Sequence, residues 1–133
     1  MVKAGRLGQK SGAGFYSYKK DAKRGADDPA LDALLAKVRK SPRSHTQEEI
    51  TERLFLPMLL EATRCLEEGI VRDPADVDMG LILGIGFPAW RGGILRWAQT
   101  LGAEQISRML GKYASLGKRF EPTAGAKKLL GKG

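Results

Sequence analysis

The chain has 133 residues, a formal net charge of +8 and 42% hydrophobic residues, which suits one core-forming domain with flanking segments. No run of about 18 apolar residues occurs, which argues against a membrane span, and the opening MVKAGRLGQK lacks the apolar region of a secretory signal. Its lone cysteine, Cys65, cannot form an internal disulfide or a multi-cysteine zinc site, so a reducing, cytoplasmic setting is expected.

The charge is unevenly spread, with net +7 over residues 1–45, −4 over 46–102 and +5 over 103–133. Basic arms therefore flank a mildly acidic, more apolar middle. A nucleic-acid module would place positive charge on its folded face, so solvated ends are the simpler reading.

In chain order, Gly5 to Tyr18 reads as a glycine-rich bend followed by a short extended piece. The charged stretch KKDAKRGADD lacks apolar periodicity and reads as a linker. Asp28-Pro29 caps and starts a first helix, whose stripe is Leu31, Leu34, Leu35 and Val38, and Ser41-Pro42 ends it. Thr46 and Glu49 form a capping box for a second helix. Its buried side is expected at Ile50, Leu54, Met58, Cys65 and Leu66, widened by Phe55, Leu59 and Ala62. Pro57 predicts a kink there and Gly69 a stop.

Asp73-Pro74 starts a short, very apolar helix through Leu83, broken by Gly84-Ile85-Gly86-Phe87-Pro88. After Trp90-Arg91-Gly92-Gly93, two further helices carry Ile94, Leu95, Trp97, Ala98 and Leu101, then Ile106, Met109, Leu110, Tyr113 and Leu116. A last weak helix spans Pro122 to Leu130. With no strand pattern in the chain, the expected fold class is all-α.

Several catalytic patterns fail. His45 is the only histidine and lies in a polar linker, without the oriented partner that general-base work needs. Cys65 sits on an apolar helix face and reads as a small buried hydrophobe. Lys10-Ser11 lacks the glycine and strand of a phosphate-binding loop, and Gly12 with Gly14 lacks the rest of a dinucleotide fingerprint. Of Asp73, Asp76 and Asp78, two are better spent at a helix N-terminus than on a metal. Trp90 and Trp97, seven apart, fit core packing better than base stacking.

Two segments carry a family resemblance. Gly8-x-Lys10-x-Gly12-x-Gly14-Phe15-Tyr16-x-Tyr18 resembles the motif closing the C-terminal domain of 3-hydroxyacyl-CoA dehydrogenases. ERLFLPMLLEATRCLEEGIVRDPADVDMGLILGIGFPAWRGG, Glu52 to Gly93, is similar to the helical domain of the same family. The likeness is strongest to the multifunctional fatty-acid β-oxidation enzymes, which end in two copies of that domain. It implies that residues 1–27 are the tail of a preceding helical copy plus a linker, and that 28–133 are the second copy with a basic tail.

The resemblance implies hydride transfer from a 3-hydroxyacyl-CoA to NAD by the parent enzyme, through a histidine on a dinucleotide-binding domain that this chain lacks. Glu52-Arg53 stands where the first copy has an Asn-Arg pair near substrate, so that contact is not carried over. The expectation is therefore a chain with no catalytic, cofactor-binding or metal-binding residues of its own, NAD belonging to the parent. Structural and docking roles fall to Gly12, Gly14, Phe15, Tyr16, Phe87, Pro88, Trp90, Gly92 and Gly93. The implied partners are the preceding helical copy and the dinucleotide-binding domain, with self-association through the same apolar face. Two other readings remain open at this point. One is a basic helical nucleic-acid module; the other is a free-standing acyl-CoA binder whose Lys10, Lys19 or Lys20 meets the CoA phosphates. The Gly131-Lys132-Gly133 ending is not a Ser-Lys-Leu-type peroxisomal address, which fits the cytoplasmic expectation.

Overall fold

The computed structural model describes residues 1–20, 25–39 and 43–130. Part of the charged linker, the Ser41-Pro42 helix stop and the final Gly131-Lys132-Gly133 lie outside the described residues. The chain divides into two units, Met1–Ser44 and His45–Gly133. Among the described residues the longer elements are all α-helices, and β structure is limited to isolated bridges in the first unit. The fold is all-α.

In the first unit two single-turn 3-10 helices, Val2–Ala4 and Gln9–Ser11, precede helix α1, Pro29–Ala36. Three bridges, Gly8 to Ala13, Ala13 to Ser17 and Ser17 to Ala26, fold the glycine-rich segment back on itself. Asp28 joins this segment to α1. Its Oδ1 accepts the Ala30 amide at 3.0 Å, and its Oδ2 accepts Arg6 Nη2 at 2.6 Å while Arg6 Nε donates to the Gly14 carbonyl at 2.9 Å. The Arg6 bond, with the Ala30 amide, holds the Asp28 carboxyl below its ordinary range. No side chain of α1 is fully buried, and Val38 lies exposed beyond its end.

The second unit is built around α2, Gln47–Glu67. Thr46 Oγ1 accepts the Glu49 amide at 3.1 Å, which is one half of the expected capping box. The Glu49 carboxylate lies 3.0 Å from His45 Nδ1 and 3.6 Å from Arg53 Nη1. The helix runs continuously through Pro57. It ends in a Schellman motif, with Gly69 at φ 68, its amide on the Leu66 carbonyl and the Ile70 amide on the Cys65 carbonyl at 2.9 Å.

The buried face of α2 includes Leu59 and Ala62 as expected but is centred away from Ile50 and Leu54. Leu56, Leu59, Leu60 and Thr63 are buried at i, i+3, i+4 and i+7, whereas Ile50 and Leu54 are exposed and Met58, Cys65 and Leu66 half-buried. Apolar residues surround this helix on most sides, so periodicity alone could not decide which stripe meets the core. α3 (Pro74–Ile85), α4 (Ile94–Leu101), α5 (Ala103–Tyr113) and α6 (Ala124–Leu130) complete the unit. Helix α3 runs one turn-residue past Gly84 and stops at Gly86, whose φ of 70 is left-handed. The core joins Leu56, Leu59 and Leu60 to Ile94, Leu95, Trp97, Ile106, Leu110 and Tyr113.

Candidate docking surface

Helix α3 is apolar on both sides. Val77, Leu81 and Ile82 pack against the core, while Met79 and Leu83, one turn apart, stay exposed together with Ile85 beyond them. A surface helix normally sets polar residues on its outer face. The tip beyond α3 adds another exposed ring. The Phe87 amide donates to the Leu81 carbonyl at 3.1 Å, closing the helix, and the Phe87 ring turns inward. It lies 5.0 Å from the Phe55 ring, which stands edge-on to Trp97 at 5.2 Å. Pro88 leads into a 3-10 turn, Ala89–Arg91, which projects Trp90 outward at 78% exposure.

Arg91 stacks on this tip, its guanidinium carbon 4.2 Å from the Trp90 ring and 5.6 Å from Phe55. Its Nε is buried and has no hydrogen-bond partner among the described residues. A buried N–H without an acceptor costs on the order of 1–3 kcal/mol, which an incoming acceptor would recover. Arg91 also borders a cleft of about 320 Å3 with Thr51, Glu52, Gln105 and Met109.

Asp78 holds the tip to α4. Its Oδ1 accepts the Leu95 amide at 2.8 Å and its Oδ2 the Arg96 amide at 3.1 Å, so a carboxylate on α3 caps the N-terminus of another helix. That approach requires Gly93. Its φ is 110, and a Cβ there would lie 2.2 Å from Asp78 Cβ. Of the three aspartates, Asp73 caps α3 itself, accepting the Ala75 amide at 2.8 Å.

Glu52, at the start of the buried face of α2, is 6% exposed. Its Oε2 accepts Lys112 Nζ at 2.7 Å and the Tyr113 hydroxyl at 2.5 Å. Burial alone pushes this carboxyl up, but the bonds from Lys112 and Tyr113 and the lysine charge outweigh it, leaving the pKa below its ordinary 4.5. The same group raises Lys112, and burial together with Glu52 raises Tyr113. Glu52 thus ties α2 to α5.

The expected site residues separate by unit. Gly12, at φ 72, closes a 3-10 turn; Gly14 is buried, where a Cβ would meet Gly8 Cα at 2.9 Å; Phe15 and Tyr16 are exposed at 60% and 48%. Phe87, Pro88, Trp90, Gly92 and Gly93 share the tip in the second unit. Only Trp90 among these offers a large exposed side chain; Phe87 belongs to the core. Trp90 is therefore not the core residue that its spacing from Trp97 suggested. Sequence reasoning did not assign Asp78, Glu52 or Arg91 these contacts, because each meets its partner across the fold.

No group of three His, Cys, Asp or Glu is placed to hold a metal among the described residues. A dinucleotide does not fit here either. The glycine-rich segment leads into isolated bridges and not the strand–glycine loop–helix unit that cradles a pyrophosphate.

Residues 50–132 match the family model described as 3-hydroxyacyl-CoA dehydrogenase, C-terminal domain. The chain belongs to that family. Among solved structures it is similar to the dehydrogenase part of multifunctional enzyme 1 from C. elegans, with 28% identity and a TM-score of 0.72 over 97% of this chain. The match covers 31% of that structure's chain, so this 3-hydroxyacyl-CoA dehydrogenase-family chain spans under a third of its relative's length. The family and the all-α fold expected from the Glu52–Gly93 run are both supported, and the nucleic-acid reading is not favoured. No described helix is long and apolar enough to cross a membrane.

Proposed function

We propose that this chain is a C-terminal part of an NAD-dependent 3-hydroxyacyl-CoA dehydrogenase of fatty-acid β-oxidation, acting as a scaffold and supplying no catalytic group. In this reading residues 1–27 are the tail of a preceding helical copy with its linker, and residues 28–133 the second copy. Residues 46–117 brace the active site from outside by packing against the preceding copy and the dinucleotide-binding domain. A cytoplasmic location accompanies the reading and is in keeping with the single cysteine.

The observation that carries it is the exposed apolar pair Met79 and Leu83 on α3, with exposed Ile85 at the helix end and Trp90 on the following tip, where Arg91 keeps a buried N–H without a partner among the described residues. An apolar patch of this kind marks a protein interface more often than a solvated surface. In this reading Gly12, Gly14, Phe15 and Tyr16 take structural roles within the first unit, and Pro88, Gly92 and Gly93 within the tip of the second.

The face is tested by light scattering on the purified chain as a function of concentration. The expected result is reversible self-association, abolished by Trp90→Ala with Leu83→Ser while the circular dichroism spectrum is unchanged. A monomer at all concentrations, with no binding to a separately supplied dehydrogenase core of the family, contradicts the docking role. The scaffold role is tested by assay with 3-hydroxyacyl-CoA and NAD: turnover by this chain alone contradicts it.

A further inference from the structure

We propose a second site on the same unit: His45, Arg53 and Arg119 form a cleft that binds a small phosphate ester carrying an apolar or aromatic group. The cleft has a volume of about 370 Å3 and is lined by those three side chains with Ile50, Leu54, Leu116 and Phe120. That size lies within the ~300–1,000 Å3 range of small-molecule sites.

Three segments supply the nitrogen-bearing side chains. His45 precedes the α2 cap, Arg53 lies two turns along α2, and Arg119 comes from the 3-10 turn Lys118–Phe120. That turn is anchored, because Phe120 is 3% exposed and its ring stacks 5.6 Å from Tyr113. Arg53 Nη1 lies 3.4 Å from His45 Nδ1, and the Glu49 carboxylate beside them orients both groups. Arg119 makes no ion pair with a described residue, whereas Glu49 already pairs with His45 and, more loosely, with Arg53.

Two guanidinium forks facing one space, with Arg119 unpaired among the described residues, suit a phosphate better than a lone carboxylate. The remaining wall narrows the ligand further. Ile50 and Leu116 are each 42% exposed and Leu54 62%, an apolar surface next to the cations that bare inorganic phosphate would leave wet. A phosphate ester with a ring or chain covers both halves. A nucleic acid fits less well, because the cleft is small and residues 46–102, which supply Ile50, Arg53 and Leu54 of its lining, carry a net charge of −4. This site also explains the exposed Ile50 and Leu54 on the outer side of α2.

The experiment is an NMR and calorimetric titration of the whole chain with phenyl phosphate, inorganic phosphate, phenol and a single-stranded oligonucleotide. The expected order is phenyl phosphate binding more tightly than either half alone, with shifts at the Ile50, Leu54 and Leu116 methyl groups. Arg119→Ala should weaken phenyl phosphate roughly tenfold, the loss of one charged hydrogen-bonding partner. Arg119→Lys should recover part of it, and Lys3→Ala none of the loss. Equal binding by Arg119→Ala, equal binding of phenol and phenyl phosphate, or preferential binding of the oligonucleotide each overturns the proposal. Arg119 is exposed, so its variants should melt as the parent does; the methyl shifts provide an independent reading.

Discussion

Replacing Gly93 by alanine tests the junction between α3 and α4. At φ 110 and ψ 175 the residue occupies a region open essentially to glycine alone, and forcing a side chain there costs about 1–3 kcal/mol. The new Cβ would lie 2.2 Å from Asp78 Cβ and Cγ, so the carboxylate must leave its position. With it go the bonds to the Leu95 and Arg96 amides, a cap worth about 1–2 kcal/mol. Gly93→Ala should therefore destabilise by about 2–5 kcal/mol, and Asp78→Ala alone by about 1–2 kcal/mol. Because the cap can be lost only once, the double variant should fall short of the sum by about 1 kcal/mol or more. Urea unfolding followed by circular dichroism measures this as a shift in midpoint at constant slope. Strict additivity, or an Asp78→Ala variant as stable as the parent, would refute the claim that Gly93 exists to admit Asp78.

Three further outcomes follow from the packing. Glu52→Gln should cost about 1–3 kcal/mol at neutral pH by weakening the bonds to Lys112 and Tyr113. Since Glu52 sits below its ordinary 4.5 when folded, its contribution is present above that pH and lost as pH falls through the folded value. The variant should therefore show a flatter acid limb in stability measured between about pH 5 and 3, and an unchanged limb would contradict the assignment. Leu60→Ala, at a fully buried position, should cost about 2–5 kcal/mol in the same urea assay. Trp90→Ala should change the unfolding free energy by no more than about 0.5 kcal/mol, since the side chain is 78% exposed, while reducing self-association. A large loss of stability there would make Trp90 a packing residue.

Local chemistry was readable along the chain wherever one segment sufficed. Asp28, Thr46 and Asp73 each accept an amide within the next three residues, so their caps are visible in a short window. Gly69 and Gly86 end their helices in left-handed conformations that few other residues adopt cheaply. The Glu52–Gly93 run was also specific enough to indicate the family to which residues 50–132 belong. Facing was harder to read. On α2 the apolar residues outnumber those one stripe can hold, and the choice of Leu56, Leu59 and Leu60 over Ile50 and Leu54 was made by α4, α5 and α6 packing on one side.

The docking surface divides in the same way. The sequence alone determined that α3 is very apolar after Asp78 and followed by a rigid Phe87-Pro88 turn. Which of its residues remain uncovered depended on where α2 and α4 lie, and this left Met79, Leu83 and Trp90 outside and Phe87 inside. The same holds for the polar contacts. Asp78 on Leu95 and Arg96, Glu52 on Lys112 and Tyr113, and Arg91 on Phe55 join groups from different elements. A sequence determines helices, caps and stops because those energies act over a few residues. Partners across the core are decided only when helices pack, since spatial closeness there bears no fixed relation to spacing along the chain.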